Sequence, residues 1–355
     1  MRRTAETEDL STLVPAALGP TARITGIERL RGGTRKGVYR VHLAPSNPGP
    51  ASVIVYSWAA EENFWPGAGT PTAPATTAPA AQDEQGDPFA PATGLRLFLT
   101  ARDALDSAGV RTVHVHLADD SHRHYRADVA VVEDAPGGTL EHLLYRSHDP
   151  ADHERGRTAL KHLAHSLTLM RQCRAPGYGP LGHASTPREI PCEQLILEHA
   201  LGHLDEAADR DHRLGAVREP LRELLHTLRA PITPRTTYSL IHGELGPDHV
   251  LVDDAGQALL IDIEGLKFFD AEWEHVFLQI RFSPGDYALL AGPPHQTGLD
   301  PARMALYRLA MRLSLVAGPL RLLDGDFPDR EGMQAIAESN VQATLALLAQ
   351  ERARG

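Results

Sequence analysis

The sequence predicts an α+β chain of two lobes, an antiparallel β lobe followed by a mostly helical one, and three observations carry that reading. Alternating apolar and β-branched residues dominate up to Glu133; the patterning turns helical after Pro136-Gly137-Gly138; β character then returns between Ser239 and Glu264. With 355 residues, 42% of them hydrophobic, the chain can bury two cores. The lobe boundary falls at residue 134, giving lobes 1–134 and 135–355.

Residues Ile24 to Leu43 read as a β-hairpin around Gly32-Gly33 and Gly37, and Ser52 to Trp58 as a third strand. Residues 66–93 form a Pro/Ala/Thr/Gly tract without periodicity, expected as a disordered surface insertion because it has little apolar surface to offset ordering. A helical pattern covers Leu95 to Ser107, and strands follow at Thr112 to Leu117 and Asp128 to Glu133. Thr139 caps the chain's turn to helices after the hinge. Those helices cover Asp152 to Cys173, Pro191 to Ala208, Arg218 to Arg229, Pro301 to Leu323 with Asp300 as cap and Pro301 at the first helical position, and Asp329 to Glu351.

The net charge of -11 argues against a sequence-independent grip on nucleic acid, which needs a basic stripe, and favours cationic or neutral small molecules. Cys173 and Cys192 are the only cysteines, too few for a disulfide framework or a Cys-based zinc site. The N-terminal stretch lacks the apolar core of a signal peptide and no apolar run reaches membrane-spanning length, so a cytoplasmic protein without a membrane partner is expected. Of 35 basic residues only Lys36, Lys161 and Lys267 are lysines. Oligomeric state is not legible.

The stretch Ser239 to Val252, SLIHGELGPDHVLV, puts ionisable side chains between apolar runs. It reads as part of a hairpin: a strand ending near Ile241, a loop from His242 to Asp248, a strand from Val250, a turn at Asp253 to Gly256 and a return strand from Ala258 to Ile263. Such a hairpin gathers Glu244, His249 and Asp262 at one end, as a site assembling a divalent metal and a general base requires.

These residues resemble the H-G-D-x-x-x-x-N plus Asp signature of the aminoglycoside phosphotransferase family, which has the protein-kinase-like fold. His242-Gly243-Glu244, His249 and Asp262 stand in that order, and Asp270 and Glu274 agree in spacing. The hinge VVEDAPGG, with Glu133 and Ala135, resembles the family's adenine-binding linker, and GGTRKGVYRV, with Gly32, Gly33, Arg35 and Lys36, its phosphate-covering hairpin. The resemblance implies a nucleotide-binding first lobe, ATP or GTP with Mg2+, catalytic roles for Glu244 and His242, and metal ligation by His249 and Asp262.

Glu244 stands where Asp is usual, keeping the carboxylate but moving it. His249 stands where Asn is commonest, as in the macrolide-phosphorylating branch of the family. Kinase-like folds hold the phosphates with a third-strand lysine paired to a helical glutamate. Here no Lys or Arg lies between Val41 and Leu95, the position near Val55 or Tyr56 is apolar or phenolic, and the helix from Leu95 lacks Glu. The phosphates would then be met by Arg35, Lys36, Arg40, Arg96 or Arg102.

Simpler readings stand beside these. His242 is expected to buttress its loop rather than react, and Glu264 and Glu272 to be solvated or structural. Trp58, Phe64 and Trp65 read as packing more readily than as a stacking surface. Asp324, Asp326, Asp329 and Glu331 suit helix capping better than an acidic substrate wall. His114, His116, His122 and His124 read as an exposed strand face. The function read from the whole is an ATP-dependent phosphotransferase acting on a hydroxyl of a small molecule, such as an antibiotic or a biosynthetic intermediate. The alternatives are a kinase-fold scaffold without transfer chemistry and a peptide Ser/Thr kinase.

Overall fold

Short apolar runs with alternating burial build the first sheet. The computed structural model describes residues 4–30, 33–45, 49–65, 87–293 and 298–354. Strands β1 (Ile24–Arg29), β2 (Gly37–Leu43) and β3 (Ser52–Ser57) pair antiparallel in sequence, and β4 (Val115–Asp119) joins β3 through β5 (Val129–Glu133), giving the order β1-β2-β3-β5-β4. Tyr39, Val41, Val53, Val55, Val129 and Val131 turn to one face and bury against Leu10, Leu13 and Val14 around the N-terminal helix α1 (Leu13–Leu18). Helix α2 (Leu95–Ser107) buries Leu95, Phe98, Ala101 and Leu105, one helical stripe, and Phe98 meets the rings of Tyr56 and Trp58.

The hinge glycines are dictated by a close backbone approach. A Cβ on Gly137 would lie 2.0 Å from the Val252 carbonyl oxygen, and Gly138, at φ 80°, accepts a bond from the Val252 N–H at 2.9 Å. Helix α3 (Pro150–Gln172) follows, then β6 (Arg174–Ala175), β7 (Gly179–Pro180), helices Cys192–Arg210, His212–Gly215 and Arg218–Arg229, strands β8 (Tyr238–Ile241), β9 (Val250–Val252), β10 (Ala258–Leu260) and β11 (Lys267–Phe269), and helices Ala271–Arg281, Pro284–Ala291, Pro301–Leu322 and Arg330–Arg354. Asp300 caps the Pro301 helix as expected, accepting from the Ala302 N–H at 2.9 Å.

The chain forms two compact units. One comprises Met1–Gln85, Phe89–His162 and Asp248–Gly265; the other Gly86–Pro88, Leu163–Pro247 and Leu266–Gly355. The first unit therefore extends past residue 134 and takes in the β9–β10 pair.

Two expectations are corrected. Strand β8 is not part of a hairpin with β9: it is buried throughout and sits inside a four-stranded sheet of the second unit, ordered β6-β8-β11-β7, while β9 pairs with β10 alone. Strands of two or three residues are too short to leave a period. The helix Ala271–Arg281 is also absent from the sequence reading; Ala271 to Leu278 are all buried, with the charged Glu272 and Glu274 buried among the apolar residues. Of the tract 66–93, residues 66–86 lie outside the described residues. The remainder has no helix or strand, but it is tied down: Lys267 Nζ donates to the Pro88 carbonyl at 2.6 Å and His199 lies 3.6 Å from Asp87.

The second unit is organised around a buried guanidinium. Arg303, 1% exposed, donates to Asp270 at 2.5 Å, Glu193 at 3.1 Å and the Thr233 carbonyl, while Arg235 grips Glu272 at 2.6 Å and 2.7 Å. Glu272 is thus structural rather than solvated. Nearby in the same unit, burial pulls the imidazole of His275 down to about 4.

Arg303→Met strands two buried carboxylates and should cost about 3–5 kcal/mol in urea unfolding. His275 is charged in the unfolded chain below its ordinary pKa but stays neutral in the fold until about pH 4. Its contribution is present above that ordinary value and is lost as pH falls towards 4. Wild type should lose more stability over this window than His275→Leu, by on the order of 3 kcal/mol.

Candidate functional site

In the first unit the β9–β10 register does the gathering. Val250 faces Leu260, and the Ile261 N–H continues the ladder to the His249 carbonyl at 3.0 Å, so His249 and Asp262 leave the same end of the hairpin. Asp262 adopts φ 58°, a left-handed conformation that Asp tolerates better than most residues at a cost of about 1–2 kcal/mol. Its side chain is 46% exposed, and the His249 Nε2 lies 3.7 Å from it. The segment behind it is fixed by Ile263 and Glu264, both buried, which pack with α2.

Lys36 reaches this carboxylate from the glycine hairpin. Its Nζ lies 3.1 Å from Asp262 and 2.5 Å from Glu264, with the residue only 6% exposed. Burial acts to lower the pKa of this ammonium, but Glu264 and then Asp262 outweigh it and hold the group well above its usual value. Glu264 is therefore a buried partner of a buried cation, not a solvated residue. Gly33 permits the turn: a Cβ there would stand 2.4 Å from the Lys36 carbonyl oxygen.

In the second unit the loop after β8 presents one group. From Tyr238 to Pro247 every residue is buried except Glu244, which is exposed. Gly243 turns the chain at φ 93°, and one oxygen of Glu274 accepts the N–H groups of both His242 at 2.6 Å and Gly243 at 2.9 Å. The His242 Nδ1 accepts from the Glu244 N–H at 3.4 Å, so this buried imidazole buttresses the loop. Lys267 on β11 is held below its usual pKa by burial, with Glu244 and Glu274 opposing.

The other candidates are accounted for one by one. Gly32 lies outside the described residues. Arg35 stacks over Trp65 at 4.7 Å, which gives that indole a packing role. Arg40 is committed to Asp134 at 2.7 Å and Arg102 to Asp103 at 2.6 Å. The Glu133 carboxylate accepts the His114 N–H at 3.0 Å, and the Glu133 N–H donates to the His114 carbonyl at 2.9 Å. Asp329 caps the Gly332 N–H and Asp324 pairs with Arg210 at 2.8 Å, so the acidic loop serves the fold. From the sequence Glu264 is only solvated or structural and Glu274 only a matching spacing; both partnerships are long-range.

Among the described residues no group of three or more His, Cys, Asp or Glu closes a metal site. A magnesium that keeps waters and phosphate oxygens needs only one or two protein carboxylates, and Asp262 fits that; the His249 imidazole beside it is a softer nitrogen ligand. Glu264 Oε2, buried and without a hydrogen-bond partner, is an acceptor that a nearby cation would satisfy.

A family model described as the phosphotransferase enzyme family matches residues 85–307. The chain belongs to that family. No curated protein matches it by sequence. Among solved structures it is similar to a thermostable mutant of aminoglycoside phosphotransferase APH(4)-Ia (TM-score 0.57, 16% identity, covering 90% of this chain and 95% of that one). It is likewise similar to the choline kinase LicA from Streptococcus pneumoniae (0.57, 14%, 97% and 97%) and to spectinomycin phosphotransferase APH(9)-Ia in complex with ADP and spectinomycin (0.59, 11%, 95% and 97%). At these identities the likeness shows the fold, and it is the kinase-like α+β fold expected from the sequence. The phosphotransferase-family match contains Glu133, Glu244, His249 and Asp262; Lys36 precedes it.

Removing the clamp should free the loop without a ligand being present. Glu274→Ala should raise amide exchange at His242 and Gly243 and cost about 1–3 kcal/mol of stability, read by exchange mass spectrometry and urea unfolding.

Proposed function

We propose that this chain is an ATP- or GTP-dependent phosphotransferase acting on a hydroxyl of a small molecule. The observation that carries the reading is Asp262: a half-exposed carboxylate on a left-handed residue, with a lysine ammonium at 3.1 Å and an imidazole at 3.7 Å. The left-handed conformation costs about 1–2 kcal/mol, and phosphoryl transfer needs a metal carboxylate beside a cation at such a half-exposed position. Magnesium, when bound, supplies charge neutralisation on the transferred phosphoryl group. Asp262 and His249 are its ligands. Glu244, exposed on a clamped loop, accepts the proton of the attacking hydroxyl, and His242 keeps that loop in shape. The hinge backbone at Glu133 and Ala135 receives the base.

The acceptor is a small molecule of the class that the named relatives take, an antibiotic or a biosynthetic intermediate, and the net charge of -11 suits a cationic or neutral one. No described helix is long and apolar enough to cross a membrane; the setting proposed is the cytoplasm.

Calorimetry with ATP and with GTP, each with and without magnesium, tests the reading. Wild type should bind at least one nucleotide in a magnesium-dependent manner and Asp262→Asn should lose that dependence, whereas His249→Asn should retain it. Protein that binds neither nucleotide is a scaffold, and the enzyme reading fails.

A further inference from the structure

Tyr56 of β3, opposite Val38, stands where a third-strand cation is expected, and the Lys36 ammonium lies 4.9 Å from its ring centroid. The ring is packed in, with burial pushing its phenol up to about 12. We infer that Lys36 is the phosphate-contacting cation of the nucleotide site, delivered from the glycine hairpin instead of the third strand, and that Glu264 anchors it in place of a helical glutamate. This rests on the nucleotide-dependent reading above.

Three observations converge on Lys36. It is a buried ammonium in contact with the carboxylate proposed to hold the metal. An ammonium has three N–H donors, and the partners here are Asp262 and Glu264, which leaves a donor for a phosphate oxygen. Of the competing cations, Arg40, Arg102 and Arg35 are engaged with Asp134, Asp103 and the Trp65 ring, and Arg96 is exposed on α2. Two carboxylates against one ammonium also leave a net negative charge, which suits a site completed by a divalent cation.

The test is a fluorescence titration with a ribose-labelled ATP and magnesium, with adenosine as competitor. Lys36→Met should weaken binding of the labelled ATP by about ten- to a hundredfold, the worth of one charge-assisted hydrogen bond. Adenosine affinity should stay within about twofold, since the base and ribose do not meet the ammonium. Lys36→Met/Tyr56→Lys, which returns the cation to β3, should recover part of the loss. If Lys36→Met does not fold, Lys36→Met/Glu264→Gln removes the stranded charge and is held to the same criteria. Unchanged ATP binding in Lys36→Met overturns the inference and leaves the nucleotide-dependent reading intact. Equal losses for ATP and adenosine also overturn it, because they mark a structural role. Wild type that binds no nucleotide overturns both readings.

Discussion

A buried ammonium held between two carboxylates sets the terms for the first unit. Lys36 is out of water, and an isolated charge there would cost several kcal/mol; Asp262 and Glu264, at 3.1 and 2.5 Å, make it tolerable. The arrangement constrains everything around it. Gly33 is needed for the hairpin to bring Lys36 back, Tyr56 for the floor beneath it, and the β9–β10 hairpin for the carboxylates. Yet an apolar cluster of similar volume would serve folding as well or better, since buried ion pairs rarely add net stability. The charges are better explained by chemistry than by the core.

Buried charge in the second unit has a different character. Arg303, Arg235 and Arg229 balance Asp270, Glu193 and Glu272, and Tyr307 adds a donor to Asp270 at 2.5 Å. This network ties the start of the helix Pro301–Leu322 to the start of the helix Ala271–Arg281. Glu274 stands one turn further along that second helix and reaches the backbone of the β8 loop. The rigidity that the network gives the helix therefore passes to the loop carrying Glu244. One unit holds its charges so that a carboxylate stays available; the other buries its charges so that a loop stays still.

Much of this was legible from residues alone, for identifiable reasons. Helices with an apolar stripe and a capping residue were placed closely: Leu95–Ser107 and Arg218–Arg229 agree end to end, and the Asp300 cap is present. His249 and Asp262 were put at one end of a hairpin because turn residues bracket β9 and β10. What failed were the strands β6, β7 and β11, too short to leave a period, and a helix whose charged residues Glu272 and Glu274 are buried along with its apolar ones. Lys36 could be named only as one of five basic candidates, because its partner Glu264 is distant in sequence and no local pattern announces the pair. Glu264 reads only as solvated or structural for the same reason, and the structure decides for the second.

With Lys36 as the proposed phosphate-contacting cation, the site depends on different neighbours. Where a third-strand lysine is paired to a helical glutamate, the helix must be in place for the pair to form, and displacement of that helix breaks it. Here α2 carries no glutamate, and the anchor, Glu264, lies two residues from Asp262 on the same turn. Glu264 and Asp262 are placed together by the β9–β10 hairpin, whose backbone is in turn bonded to Arg111 and to Gly138. Helix α2 contributes apolar packing through Phe98 on Tyr56 and against Ile263 to Gly265, contacts that yield gradually and do not break a charge pair. The lysine–glutamate pair therefore takes no charged partner from α2 and meets that helix only through packing, since Glu264 lies on the Ile263–Gly265 turn that rests against it.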